Sequence, residues 1–392
     1  MKVYLDYAAT HPPIKSIIEK ANELYLNNYA NSSGLSGESQ KVNNLIRESR
    51  SQLAQLLSIS EQQIFFYSSA SEAHSSLLWL LSKHCFAQKK SRIKIACSPF
   101  EHPSIIETVK KIPDAEVFFF EADKAGLKEV DLDAINPDLI ICMAAHNETG
   151  LLMPISDLIQ WSEEHKIPML CDCVQLAPKL NYDSQDNRIN GNLFQDKKSV
   201  YFTMAGHKIG AGFGCAILIT PKLNSTELEF IEKANILAGG NQETPFRPGS
   251  HNLAAIKAME LSLNRVLIDK GRYDNLLEKS KRLEKTIINS IKGVHLIGAQ
   301  SERLPGTSLL LVPDLSIDFL LMALDQKGIT VGTGTSCKSR SREASPALLA
   351  MGYTEEEALQ AIRISLGPEI PGELLEKASK AIIESILKLQ NQ

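Results

Sequence analysis

The stretch LIICMAAHNETGLLMPISDLIQWSEEHKIPMLCD, residues 139–172, carries the pattern that decides the fold. Two short apolar runs, LIICMAA (139–145) and IPMLCD (167–172), flank PISDLIQWSEEHK (154–166). Each run has the length and unbroken apolarity of a strand buried on both faces. The middle segment spaces its apolar residues as a helix does. A strand–helix–strand unit of this kind makes its two strands parallel. The same texture recurs in QIFFYSS (63–69), RIKIACS (92–98), EVFFFEA (116–122), VYFTMA (200–205) and GCAILIT (214–220), with a further helical segment at 72–90. The expected class is α/β with a mostly parallel sheet.

The texture changes toward the C-terminus. Residues 246–291 read as one long helical stretch bridging two domains, with Gly271 as a potential break. After it come a strand in TSLLLVP (307–313), a helix in IDFLLMALDQKG (317–328), GITVGTG leading into the loop of Cys337, and an amphipathic helix over 372–389. A second, smaller α+β domain is expected there. The boundaries are set at 14–255 for the large domain, and at 1–13 with 256–392 for the small one.

The bulk numbers exclude several classes. The chain has 392 residues, 43% of them hydrophobic, and a formal net charge of -4. No basic footprint for nucleic acid is visible. The cluster Lys338, Arg340, Arg342 reads as a solvated loop. Seven cysteines lie mostly inside apolar runs, without metal-ligand spacing. Cys171 and Cys173 would face one side of a strand. A reducing compartment fits this usage better than a disulfide framework does. Asp6 interrupts the short apolar start, so no signal peptide is expected. No apolar run approaches the roughly 20 residues of a membrane span. These features point to a cytoplasmic protein with no membrane, nucleic-acid or metal partner.

Three places could carry chemistry, since ligands of open α/β sheets bind beyond the carboxyl ends of the strands. Ala70-Ser71-Glu72 follows the run 63–69 and opens a helix. It is either an anion site or an ordinary helix cap. Asp172 ends an apolar run, where a buried carboxylate needs a partner. A protonated ring nitrogen would serve, and so would a helix N-terminus. Lys208 stands in the Gly-rich turn after 200–205, and desolvation there would make its amine nucleophilic. The GAGFG run beside it is not a dinucleotide fingerprint, because another strand follows. Ser71, Asp172 and Lys208 together match the needs of pyridoxal phosphate: a phosphate cradle, a carboxylate for the pyridinium and a lysine for the aldehyde.

The chain also resembles the cysteine desulfurases, class V enzymes of the fold-type I pyridoxal phosphate group. The resemblance rests on YLDYAAT (4–10), SSASEAH (68–74), FEHPS (100–104), HNETG (146–150), CDCVQ (171–175), AGHKIGAGFG (205–214), GGNQE (239–243), RPGSHN (247–252), GTSC (334–337) and RISLG (363–367), in order along nearly the whole chain. It implies a large domain with a mostly parallel seven-stranded sheet, plus a smaller α+β domain. It implies that Lys208 holds the cofactor, Asp172 pairs with the ring nitrogen, and His102 stacks on the ring and moves protons. Asn147 and Gln175 would bond the ring hydroxyl side. Ala70, Ser71 and His207 would hold the phosphate, and Ser250 would reach it from the partner of a homodimer. Arg363 would grip the carboxylate of L-cysteine, with Asn147 also at the substrate. Cys337 would take the sulfur as a persulfide for acceptor proteins of iron–sulfur cluster assembly or RNA thiolation, and the nearby Lys338 favours its thiolate.

The pattern has departures. Ala205 stands where a serine usually helps bind the phosphate, and Thr203 sits a strand step away. Ser69 replaces a glycine, His74 and Ser75 replace an Asp-Asn pair, and Gly37 lies near the position of a usual histidine. Selenocysteine lyase, an aminotransferase of the same fold, and a weakened paralogue that binds partners are the alternatives.

Overall fold

The computed structural model describes residues 2–89, 92–180, 193–268, 274–333, 337–338 and 341–390. The seven apolar runs become one sheet, in the order Ile64–Tyr67, Ala216–Ile219, Val200–Ala205, Met169–Asp172, Leu139–Ile141, Ile93–Cys97, Ala115–Phe119. Ala216–Ile219 is antiparallel to both neighbours, and every other pair is parallel. Six of the seven strands are buried along all or nearly all of their length because helices cover both faces, and only Ala115–Phe119 at the edge is not. Helices Ala70–Lys89 and Ile155–His165 coincide with the expected segments.

The second sheet runs in the order Val3–Leu5, Ile329–Thr333, Ala361–Ser365, Thr307–Leu311, His295–Leu296. Val3–Leu5 lies parallel to Ile329–Thr333, and the other pairs are antiparallel. Val3–Leu5, Ile329–Thr333, Ala361–Ser365 and His295–Leu296 were not among the expected strands. They are two to five residues long and are held by partners far away in sequence, so no local period marks them.

Three apolar cores form, one on each face of the large sheet and one against the small sheet. The helical stretch after position 246 is divided between two of them. Helix Leu253–Ile268 puts Ile256, Met259 and Leu263 into one core of the seven-stranded sheet. Helix Asp274–Ser290 puts Leu276, Leu283 and Ile287 into that of the smaller sheet. Gly271 lies outside the described residues. The ends of the large-sheet strands face Val331, Gly332, Thr333 and Arg363 of the small sheet across a gap.

Candidate active site

That gap is a cavity of about 440 Å³. From the large sheet, each functional side chain sits just past the end of a strand. Asp172 is the last residue of Met169–Asp172. Lys208 lies in the single turn Gly206–Lys208 after Val200–Ala205. Ala70 and Ser71 open a helix after Ile64–Tyr67, and Asn147 follows Leu139–Ile141. His102 follows Ile93–Cys97 as the N-cap of helix Pro103–Val109. Arg363 comes from the middle of the small sheet, across from all of them. Gln175 and His207 complete the set, and all nine of these residues line the one cavity.

The turn carrying Lys208 is stitched to the N-terminal segment. His11 N–H donates to His207 O and Ile14 N–H to Gly210 O, both at 2.9 Å. Gly210 has φ +85°, and a Cβ there would come within 2.7 Å of Ile14, so the turn requires glycine. The Lys208 ammonium donates to the carbonyls of Ala8 and Ala9, each at 2.6 Å. Desolvation, helped by the Arg363 charge, lowers its pKa to about 8. The amine is therefore near its nucleophilic form at neutral pH. Gln175 Nε2 donates to Ala8 O at 2.9 Å, which fixes the same segment.

Asp172 is 5% exposed. Its Oδ1 accepts from Val174 N–H at 2.8 Å. Its Oδ2 lies 3.7 Å from Nε2 of His74, whose pKa burial lowers, and among the described residues no lysine or arginine pairs with it, so the buried carboxylate has room for a cationic partner. Burial lowers the pKa of His102 and takes that of His207 down to about 4, and the neighbouring Lys208 pushes both the same way. His207 also stacks on Phe213 at 5.5 Å. At the start of helix Ala70–Lys89, no earlier carbonyl can take the first amides. The Ser69 hydroxyl accepts from Glu72 N–H at 3.1 Å, so this departure from glycine serves as a cap.

Arg363 is 7% exposed. One terminal nitrogen donates to Asn147 O at 3.0 Å and the other to Asp6 Oδ1 at 2.8 Å. Its Nε is buried without a partner. Gly332 on the adjacent strand makes room for this group: a Cβ there would stand 2.5 Å from Asp6 Oδ1 and 2.8 Å from the guanidinium. Glu148 lines the cavity beside Asn147 and accepts from the Ser345 hydroxyl at 2.6 Å. Burial raises its pKa to about 7.

Other expected residues lie elsewhere. Ser250 lines a separate hollow with Ile18, Phe213 and His251. The side chain of Cys337 is outside the described residues. Ala205 is 1% exposed and is not part of the cavity wall. Cys171 and Cys173 do share a side, their sulfurs 3.8 Å apart. Sequence reading assigned no role to Asp6 or Glu148, though both stand inside the motifs YLDYAAT and HNETG. Their signal was a carboxylate among small or polar neighbours, and only the fold turns it inward.

The residues fit pyridoxal phosphate on their own chemistry: a desolvated amine, a buried carboxylate with no lysine or arginine beside it among the described residues, and a guanidinium with a free donor. Comparison with known proteins agrees. The model of the family described as Aminotransferase class-V matches residues 3–376. The cysteine desulfurase IscS of Clostridium botulinum strain Hall is 28% identical, over 93% of this chain and 89% of that protein. A solved NifS-like protein superposes with a TM-score of 0.83 at 25% identity, over 99% of this chain and 100% of that one. The structure of SspA in complex with cysteine shares the fold, with a TM-score of 0.73 at 22% identity over 94% and 99% of the two chains. The chain therefore belongs to the Aminotransferase class-V family, whose members use pyridoxal phosphate, and its α/β fold is the fold-type I architecture of those enzymes.

Proposed function

We propose that the protein is an L-cysteine desulfurase that uses pyridoxal phosphate. It would yield L-alanine and leave the sulfur as a persulfide on Cys337. The observation that carries this reading is the cavity itself, which sets Lys208, Asp172 and His102 opposite Arg363 with its unpartnered Nε.

The bound cofactor supplies an electron sink for the substrate's α-carbon. Lys208 is the amine that would hold it, and Asp172 the carboxylate for its ring nitrogen. The amides at the start of helix Ala70–Lys89, the Ser71 hydroxyl and His207 form the side suited to phosphate. Asn147 and Gln175, which line the same cavity, would bond the ring hydroxyl side. Arg363 uses its free Nε to take the substrate carboxylate, and this fixes which way the substrate's sulfur points. His102 moves protons over the ring. The Cys337 thiolate bonds to the substrate sulfur as the carbon–sulfur bond breaks, and the carbon gains a proton.

A homodimer belongs to the same reading. Support comes from the hollow that contains Ser250, which is ringed by apolar groups. Phe213 there is 77% exposed and Tyr25 47%. Ser250 would complete the phosphate site of a second copy. The large domain at 14–255 and the small one at 1–13 and 256–392, a cytoplasmic location, and acceptor proteins in iron–sulfur cluster assembly or RNA thiolation complete the proposal. Among the described residues no helix is long and apolar enough to cross a membrane.

The test is mass spectrometry after brief exposure of the cofactor-loaded protein to L-cysteine without reductant. One added sulfur on the Cys337 peptide, reversed by dithiothreitol and absent in Cys337→Ser, is expected. Alanine formation with no sulfur on Cys337 would overturn the reading in favour of a lyase.

A further inference from the structure

A chain of five side chains, His102, Ser104, His74, Thr203 and Asp172, runs along the cavity wall, and its centre is a residue with no assigned role. His74 is 1% exposed, on the first turn of helix Ala70–Lys89. Its Nδ1 lies 2.9 Å from Ser104 Oγ, and its Nε2 lies 2.8 Å from Thr203 Oγ1. Ser104 Oγ is in turn 2.7 Å from His102 Nδ1. Thr203 Oγ1 is 3.4 Å from Asp172 Oδ1, on the neighbouring strand in register. His74 thus stands between the histidine and the carboxylate that the proposed function uses.

The direction of every hydrogen bond follows from one backbone group. The amide N–H of Ser104 donates to His102 Nδ1 at 3.1 Å. An amide can only donate, so this nitrogen carries no proton. The Ser104 hydroxyl, at 2.7 Å from the same nitrogen, must therefore donate to it as well. Its single proton is then used, so His74 Nδ1 must be the donor to Ser104 Oγ. A neutral imidazole has one donor and one acceptor, which makes His74 Nε2 the acceptor. Burial keeps His74 neutral by lowering its pKa. Thr203 has one hydroxyl proton and two acceptors, His74 at 2.8 Å and Asp172 at 3.4 Å. Thr203 shares it, mostly with His74 Nε2 at the shorter distance and less with Asp172 Oδ1, whose other oxygen lies 3.7 Å from the same nitrogen.

We propose that His74 is a positioning residue: by donating to Ser104 Oγ it keeps the Ser104 hydroxyl donating to His102 Nδ1, and this bond, shorter than that from the Ser104 amide, holds His102 with its proton on Nε2, so that His102 presents an N–H and not a lone pair to the cavity. If His74 reversed its proton, the Ser104 hydroxyl would turn toward it. Nδ1 of His102 would then face the Ser104 oxygen lone pairs at 2.7 Å, a contact relieved by moving the proton to that nitrogen. The bland alternative is that His74 only fills space between the helix and the sheet. A space-filling residue would leave the His102 tautomer unchanged when its hydrogen bonds are removed. The inference rests on the reading of His102 as the proton-moving group of this site.

The experiment uses the cofactor-free full chain labelled with nitrogen-15 at histidine, with His102 assigned by its loss in His102→Gln. Charged and titratable groups facing His74 are Asp172 and His102, and those facing His102 are Asp172 and Lys208, so spectra are taken across pH 6 to 9. In the parent chain His102 should show the shift pair of a single Nε2–H form. Thr203→Val keeps the shape of the side chain and removes the hydroxyl that His74 accepts from. Ser104→Ala removes the link on the other side. Each should move the His102 shifts toward averaged values, and His74→Leu should do the same if it folds. A parent chain with the proton on Nδ1, or the same His102 tautomer in Thr203→Val and Ser104→Ala, would overturn the proposal. Sulfide release plays no part in this readout, so failure of the desulfurase reading is seen separately.

Discussion

Arg363 Nη2 and Asp6 Oδ1 are 2.8 Å apart, joining the centre of the small sheet to the chain just past its first strand. The pair uses one edge of the guanidinium and leaves Nε unpartnered. Arginine is suited to this double duty because its fork carries five donors in a fixed plane.

Arg363→Lys should therefore raise KM for L-cysteine while cofactor binding stays close to the parent value. Lysine keeps the charge but cannot hold Asp6, the Asn147 carbonyl and a substrate carboxylate together. Loss of a charge-assisted hydrogen bond costs about 1.5–3 kcal/mol, roughly ten- to a hundredfold in KM. Steady-state sulfide release beside a cofactor titration checks both halves. An unchanged KM removes Arg363 from the substrate site.

Lys208 has a pKa near 8, below the ordinary lysine value. Capture of pyridoxal phosphate by the cofactor-free protein should speed up as pH rises toward 8, since the neutral amine is the nucleophile, and should level off above it. An ordinary exposed lysine would keep gaining to about pH 10.4. Lys208→Ala should show no visible cofactor band at any pH. Stopped-flow absorbance reads both, and a rate still climbing between pH 9 and 10 would count against a desolvated Lys208.

Ala205 is buried and lies outside the cavity wall, which sharpens what Ala205→Ser should do. A new buried hydroxyl without a partner costs about 1–3 kcal/mol. The cofactor-free variant should melt lower than the parent. If the phosphate reaches that position, the loaded variant should recover the loss and bind the cofactor more tightly. Paired melting curves with and without cofactor measure this, and equal losses in both would show that the phosphate stays out of reach.

Glu148 has a pKa raised to about 7 by burial. In the unfolded chain it ionises near the ordinary value, so between about pH 4.5 and 7 the unfolded state loses its proton first. Stability from this group falls as pH rises through that window and is level above it. Glu148→Gln keeps an oxygen for the Ser345 hydroxyl and cannot ionise. Its unfolding free energy should match the parent's near pH 4.5 and exceed it at pH 8 by on the order of 1–3 kcal/mol, with Tm rising accordingly. Equal Tm differences at both pH values would contradict the raised pKa.

By itself the sequence determined the large sheet. Doubly buried strands such as Val200–Ala205 leave unbroken apolar runs, and the helices between them keep their own period, so seven strands could be read without a partner in view. It also determined the chemistry-bearing residues just past those strands, because Asp172 and Lys208 are charges set where local solvation gives no reason for them. What it could not determine was anything held by distant partners. Val3–Leu5 is three residues long and becomes a strand only against Ile329–Thr333. Asp6, next along the chain, is an ordinary acidic residue until that pairing brings it to Arg363. His74 could be read as a departure from a pattern, but not as a link. Its two partners, Ser104 and Thr203, lie 30 and 129 residues away. Only the packing of helix Ala70–Lys89 against the sheet brings them within hydrogen-bond distance.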